Sequence, residues 1–249
     1  MTSDVTAEQY VRKVEEHCSA EQLELLRRHF WAGDPAGENP GGGDIDLGVG
    51  MGKILTTARP FTAMPLDDVE RLLASPMPEL RAGALRVMGN KAKHKKATDD
   101  ERAVLYALYM KYKHKINSWG LVDISSHQIV GLYLLDRPRD VLYEMAASDN
   151  WWEHRIALVS TLAFVGRGDL DDTFRLAELL RDDEHDKVHT ALGWLLREAG
   201  RHDRARLMKF LDAHAATLPR ITLRTAIEHF DKEQRTYYLG MKKRLAEGG

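Results

Sequence analysis

Cysteine is nearly missing from this chain: one residue, Cys18, in 249. That excludes an intramolecular disulfide, CxxC pairs and thiolate metal clusters, and it fits a reducing cytoplasm. Proline is scarce, at eight residues, and the evenly spaced Val/Ile/Thr runs between turn signals that mark β-architectures are absent. No apolar stretch approaches the ~20 residues needed to span a bilayer. The opening MTSDVTAEQYVRKVEEH has no apolar core of the signal-peptide kind. What is abundant is Leu, Ala, Glu, Arg and Lys, all good helix formers, within a composition that is 43% hydrophobic and ample for a continuous core. The expectation is an all-α, soluble, cytoplasmic protein without a membrane partner.

Net charge is also small, at −2, but it is segregated. Lys and Arg against Asp and Glu give −7 over 1–79, +7 over 80–119, −7 over 120–196 and +5 over 197–249. Two basic blocks could form one basic face able to release counterions from a phosphate backbone. The plainer alternative is a pair of solvated helix faces.

Self-similarity decides the architecture. The segments 67–89, 139–165, 171–200 and 204–230 share one grammar of two helices with a short break. Their Ala-aliphatic dipeptides begin at Ala84, Ala157, Ala191 and Ala226, with spacings of 73, 34 and 35. The first gap is about two repeats long, so a degenerate repeat is expected near 100–135. Apolar residues recur at three- and four-residue steps in the second helices, as in Ile156, Val159, Ala163 or Val188, Leu192, Leu195, Leu196. The breaks carry Ser75 and Pro76, Asp149 and Asn150, Asp182 and Asp183, Leu218 and Pro219, all helix-ending or N-capping chemistries. The predicted fold is one α-solenoid domain over 1–249 of HEAT-like hairpin repeats with a curved, concave DNA-binding surface. Repeats occupy 59–240, preceded by irregular N-terminal helices over 4–18 and 20–32 and a Gly/Pro-rich loop over 33–52.

Three helices place tryptophan one turn from an ionised side chain: Trp119 with Asp123, Trp151 and Trp152 with Arg155, and Trp194 with Arg197. Each pair has two readings, an indole packed in the core beside a capping charge, or a face used for chemistry. In NSWGLVD (117–123) either Asn117 or Ser118 can cap the helix, with Trp119 in its first turn and Asp123 one turn later. A lone carboxylate beside arginines and indoles is expected to stay ionised. It could stabilise a developing sugar cation and hold attacking water, as glycosidic hydrolysis requires; indole faces attract the same cation. Lys91, Lys93, Lys95 and Lys96, with His94, follow one second helix, and Lys111, Lys113 and Lys115 precede Trp119. They read either as phosphate contacts or as solvated loop charges.

The runs INSWGLVDISSHQIVG (116–131), WWEHRIALVSTLAFV (151–165), DDTFRLAELLRDDEHDKVHTALGWLLREAG (171–200) and LPRITLRTAIEHF (218–230) resemble those of the bacterial DNA alkylation-repair glycosylases of the AlkD type. The resemblance covers roughly 45–240. It implies that Asp123 is catalytic, that Trp119 and Trp194 cup the deoxyribose of the damaged nucleotide, and that Arg155 and Arg197 hold phosphates around the lesion. It further implies hydrolysis of N3- or N7-alkylated, cationic purines in duplex DNA with the lesion still stacked, unlike enzymes that extrude the base, and with no metal or cofactor. Three positions depart from the pattern: Leu47 where an aromatic residue is common, Gly52 where a proline is, and His154 where many relatives carry a second Arg.

Other signals are set aside. His185 and His189 at i and i+4 superficially resemble a helical metal site, but are expected to cap and pack. Asp171 with Asp172, and Asp182, Asp183 and Glu184, are expected at helix N-termini favoured by the macrodipole. Tyr237 and Tyr238 are expected in the core of the last repeat. Three functions remain on the sequence: an alkylpurine glycosylase acting as a monomer on double-stranded DNA with alkylated bases, a non-catalytic repeat protein binding damaged or branched DNA, and a protein-interaction scaffold. Asp123 and the two indoles favour the first.

Overall fold

A computed structural model describes residues 5–26 and 44–247, which are helical with no strand among them. The all-α solenoid class of stacked helical hairpins is observed. Backbone contacts divide the chain into two compact units, Met1–Tyr133 and Leu134–Gly249.

In the first unit, α1 (Ala7–Glu15) starts at a capping box in which Thr6 and Gln9 satisfy each other's backbone N–H groups. α1 ends three residues before the expected boundary, with Cys18 exposed beyond it. α2 covers Ala20–Leu26; the rest of the expected helix, and 33–43 of the Gly/Pro-rich loop, lie outside the described residues. α3 (Met51–Thr57), α4 (Leu66–Leu73) and α5 (Pro78–Ala92) follow, then α6 (Asp99–Tyr112) and α7 (Trp119–Ser126). The hairpin α4–α5 breaks at Ser75 and Pro76 as expected. α6 and α7 are the degenerate repeat expected near 100–135.

The central helix of this unit is α5. Its burial on nearly every side, from Leu80 through Ala92, explains why it carries Gly83 and Gly89. A Cβ on Gly83 would fall 1.9 Å from the Tyr10 hydroxyl, so the buried phenol of α1 rests on the α5 backbone where glycine leaves it room. The chain entering α3 is also pinned to α5. Backbone N–H groups of Leu47, Gly48 and Val49 converge on Oε1 of Glu79 at 2.9, 3.0 and 3.4 Å. Gly48 bends that loop in the left-handed region, φ 76°. Burial pushes the Glu79 carboxyl up. The run Leu47, Gly48, Val49 thus turns its amides inward to a carboxylate.

In the second unit the hairpins are α8 (Asp140–Ala146) with α9 (Trp151–Ser160), α11 (Asp171–Leu180) with α12 (Asp186–His202), and α13 (Arg204–His214) with α14 (Arg220–Ala226). The short α10 (Leu162–Val165) extends α9, and α15 (Lys232–Leu239) and α16 (Met241–Glu247) end the chain. The breaks fall where the capping residues predicted them: Asn150 Oδ1 accepts from Trp152 N at 3.1 Å, and Asp183 Oδ1 from His185 N at 2.8 Å. Ile156, Val159, Val188, Leu192, Leu195 and Leu196 are all buried. Ala163 is only half-buried, because α9 is interrupted at Thr161, whose hydroxyl donates to Leu158 O at 2.8 Å. Tyr238 is core, donating its hydroxyl to Asp212 at 2.9 Å, whereas Tyr237 is exposed. Asp171 and Asp172 do lie in the first turn of α11, but Asp172 is also gripped by Arg139 at 2.5 Å and by the Tyr143 hydroxyl.

α12 packs closely on α14. A Cβ on Gly193 would lie 2.8 Å from the Thr222 carbonyl oxygen and 2.9 Å from Thr225 Cβ, a backbone and a β-branched neighbour that cannot yield. Gly193→Ala is expected to lower stability by about 1–3 kcal/mol, as overpacking does, read as an earlier urea midpoint with unchanged slope.

Candidate active site

The first unit holds the carboxylate. Ser118, not Asn117, caps α7, its Oγ accepting from Leu121 N at 3.3 Å. Asn117 is buried instead, donating to Asp44 Oδ2 at 3.1 Å and accepting from Arg81 Nη2 at 3.1 Å. Arg81, 2% exposed, also clamps both Asp44 oxygens at 2.9 and 2.7 Å. The residue before the cap is therefore held by a buried ion pair. α7 buries Leu121, Val122, Ser125 and Ser126, which leaves the opposite side to Trp119, 38% exposed, and half-buried Asp123. Gly120 admits Met51 beside the indole: a Cβ there would lie 3.1 Å from the Met51 methyl.

α7 then widens into a π-helical turn, His127–Gly131. Ser125 and Ser126 hydroxyls donate back to the carbonyls of Leu121 and Val122 at 2.6 and 2.9 Å, loosening the ladder just before the turn. The Tyr109 hydroxyl meets Ser126 Oγ at 2.8 Å from α6. Burial pushes the Tyr109 phenol up to about 12, and the Asp123 charge acts in the same direction. His127 follows Asp123 by four residues; burial first, then the charges of Lys93 and Arg86, hold its pKa down. His127 and Arg86 were missed in the sequence. The step 119, 123, 127 could have shown the histidine; nothing periodic marks Arg86.

The expected lysines divide. Lys93, Lys95 and Lys96 are exposed and Lys91 half-buried around the end of α5. Partial desolvation lowers Lys91 and, together with the charge of Arg86, also lowers Lys93, although much of that side chain is in solvent. Lys115 instead donates to Ala74 O at 3.0 Å, closing the C-terminus of α4, and Lys111 pairs with Glu70 at 2.6 Å.

In the second unit, Trp194 is half-buried on α12, one turn before Arg197. Arg197 Nε and Nη2 donate to Glu198 Oε1 at 3.1 and 2.9 Å, and Nη1 to Glu228. Arg155, 4% exposed, reaches from α9 to the Lys187 carbonyl and to Thr190 Oγ1 at 3.2 Å. In this arrangement it braces the start of α12. Trp152 is buried with it, while Trp151 lies over Trp152 at 3.7 Å and stacks on His185 at 4.8 Å.

His154, one of the departures from the pattern, is engaged within the unit. Its Nδ1 lies 2.6 Å from Asp183 Oδ2 and its Nε2 2.6 Å from Ser148 O. Both partners are acceptors, an arrangement that favours the doubly protonated, cationic ring. The hydrogen bond to Asp183 is the main reason its pKa is raised. Burial pushes Asp183 up, but the hydrogen bonds from His154 and the His185 amide outweigh it and leave it lowered. A raised histidine contributes stability that is complete below its unfolded pKa and lost as pH rises through its folded one. Wild-type Tm, compared with that of His154→Gln, is therefore expected to keep its advantage below the ordinary histidine value of about 6.5 and to lose it as pH rises above that, measured by scanning calorimetry. His189 Nε2 is spent on Asp183 O at 2.5 Å. Among the described residues no group of three His, Cys, Asp or Glu is placed to hold a metal, and no helix is long and apolar enough to cross a membrane.

Stacked helical hairpins, an indole and a carboxylate side by side at the start of α7, and lysines following α5 define a helical-repeat class with an ionic outer surface. The chain belongs to the DNA alkylation repair enzyme family, whose model matches residues 12–230. Its fold is similar to that of a solved structure, a predicted DNA alkylation repair enzyme from Enterococcus faecalis, with a TM-score of 0.65 at 13% identity, covering 86% of this chain and 97% of that one. No curated protein matches the chain significantly.

Proposed function

We propose that this chain is a DNA glycosylase that hydrolyses the N-glycosidic bond of N3- and N7-alkylated purines in duplex DNA. The observation that carries the reading is local: Trp119 and Asp123 share the outward side of α7. Family membership supplies DNA repair as the setting.

The chemistry asks little more. An alkylated purine bears a positive charge, so breaking the C1′–N bond returns the electron pair to the ring and the base leaves neutral. Charge builds on the sugar, which the Asp123 carboxylate stabilises. The indole of Trp119 offers its electron-rich face to the same cation; for Trp194 a contact with the deoxyribose is what the resemblance implies. Water adds to C1′ and gives up a proton, for which Asp123 is the available base. Lys91, Lys93, Lys95 and Lys96 fit phosphate contacts of the duplex. Lys115 and Arg155 reach a phosphate only by releasing the carbonyls they now cap. No metal or cofactor is needed, and a base left in the stack needs no pocket.

The test is incubation of the protein with N-methylated duplex DNA, followed by chromatography of the supernatant. Free 3-methyladenine or 7-methylguanine supports the reading. Tight, damage-selective binding without release would replace it with the non-catalytic binder.

A further inference from the structure

Arg197 does not wait for phosphate with an open fork. It faces two carboxylates that differ in how firmly they are held. Glu198, its neighbour on α12, is half-buried and also accepts from Arg201 Nη1 at 3.4 Å, so it is tied from two sides. Glu228 sits in the turn after α14, its side chain is 52% exposed, and it meets Arg197 through Nη1. The hydrogen bond and charge of Arg197 hold the Glu228 carboxyl below its usual range, so it is ionised at neutral pH. Its other charged neighbours, His229 and Arg235, act in the same direction.

We infer that Glu228 is a counter-ligand that a duplex phosphate must displace from Arg197, and that it thereby sets how weakly the protein holds undamaged DNA. This rests on the glycosylase reading above and on the resemblance, which implies that Arg197 holds a phosphate. Glu198 stays in place during the exchange, because it is fixed by its helix and by Arg201, whereas an exposed glutamate on a turn rotates into solvent at little expense. The Nη1 edge is then the one offered to DNA. Non-specific affinity comes mainly from phosphate contacts, so a built-in competitor at one of them lowers affinity for every undamaged site.

The test is a double-mutant cycle in binding. A labelled, undamaged duplex is titrated by fluorescence anisotropy with wild type, Glu228→Gln, Arg197→Gln and the double variant, across a series of salt concentrations. Glu228→Gln is expected to tighten binding about three- to tenfold at low salt and to steepen the slope of log K against log salt by about 0.9, one additional phosphate contact. In the Arg197→Gln background the same change is expected to yield less than about a twofold gain. An equal gain in both backgrounds means only general relief of repulsion and overturns the inference, as does no gain in either. If wild type releases methylated bases and binds duplex yet Glu228→Gln changes nothing, this inference falls and the glycosylase reading stands. If wild type shows no salt-dependent duplex binding, both fall. Both residues lie at the surface, and melting curves of the four proteins check that each is folded.

Discussion

Asp123→Asn is expected to reduce release of 7-methylguanine from methylated duplex by about 100- to 1000-fold, the usual penalty for removing one preorganised electrostatic partner of a transition state. The substitution is nearly isosteric. It removes a charge from a half-buried position one turn after Trp119 on α7 and keeps the shape of the side chain, so Tm is expected to stay within a few degrees of wild type. Duplex affinity should not fall; with one negative charge fewer near the phosphates it should hold or rise. That combination, intact fold, intact binding and lost turnover, separates a catalytic carboxylate from a structural one. A variant that releases base at the wild-type rate would remove Asp123 from the mechanism. A variant that loses binding and release together would make it a scaffold residue.

The sequence was legible wherever a short period or an adjacent cap carried the information. Ala157, Ala191 and Ala226 mark the second helices because small residues at a regular spacing let one hairpin lie on the next, and the gap after Ala84 located the α6–α7 pair. Trp119 and Asp123 were legible because i and i+4 share a helix face and Ser118 caps the turn before them. Pairings across the fold were not. Glu228 is 31 residues from Arg197, Lys187 is 32 from Arg155, and Asp44 is 37 from Arg81. Each is an ordinary charge or carbonyl until the chain folds, and its partner leaves no periodic trace. The π-helical turn was equally hidden: Ser125 and Ser126 widen the helix by bonding to carbonyls four residues back, which their identity permits but does not require. The Gly/Pro-rich stretch looked like one long loop, yet its end at 44–50 is fastened by Glu79 and Arg81.

That fastening supports the second large prediction, Arg81→Met. The guanidinium is buried and bridges three elements: the Asp44 carboxylate ahead of α3, the Ser75 carbonyl between α4 and α5, and the Asn117 amide one residue before the cap of α7. Methionine fills much of the volume but leaves the Asp44 carboxylate and the Asn117 amide facing each other without the cation. Breaking a buried pair from one side costs about 3–5 kcal/mol, which for a chain of this size corresponds to a fall in Tm of about 6–20 °C. Asp44→Asn in the same background should recover part of the loss, because an amide opposite Asn117 no longer buries an unpaired charge; with Arg81 intact, Asp44→Asn alone should destabilise. The consequence for chemistry follows from position. Asn117 fixes where α7 begins, and Trp119 and Asp123 occupy its first and second turns, so a start displaced by even a fraction of a turn misaims both side chains. The Arg81→Met protein, assayed well below its own Tm, is therefore expected to keep duplex binding through the lysines after α5 while its single-turnover release rate falls by about 10- to 100-fold. If the rate is unchanged where the protein is folded, the buried ion pair stabilises the unit without aiming the site.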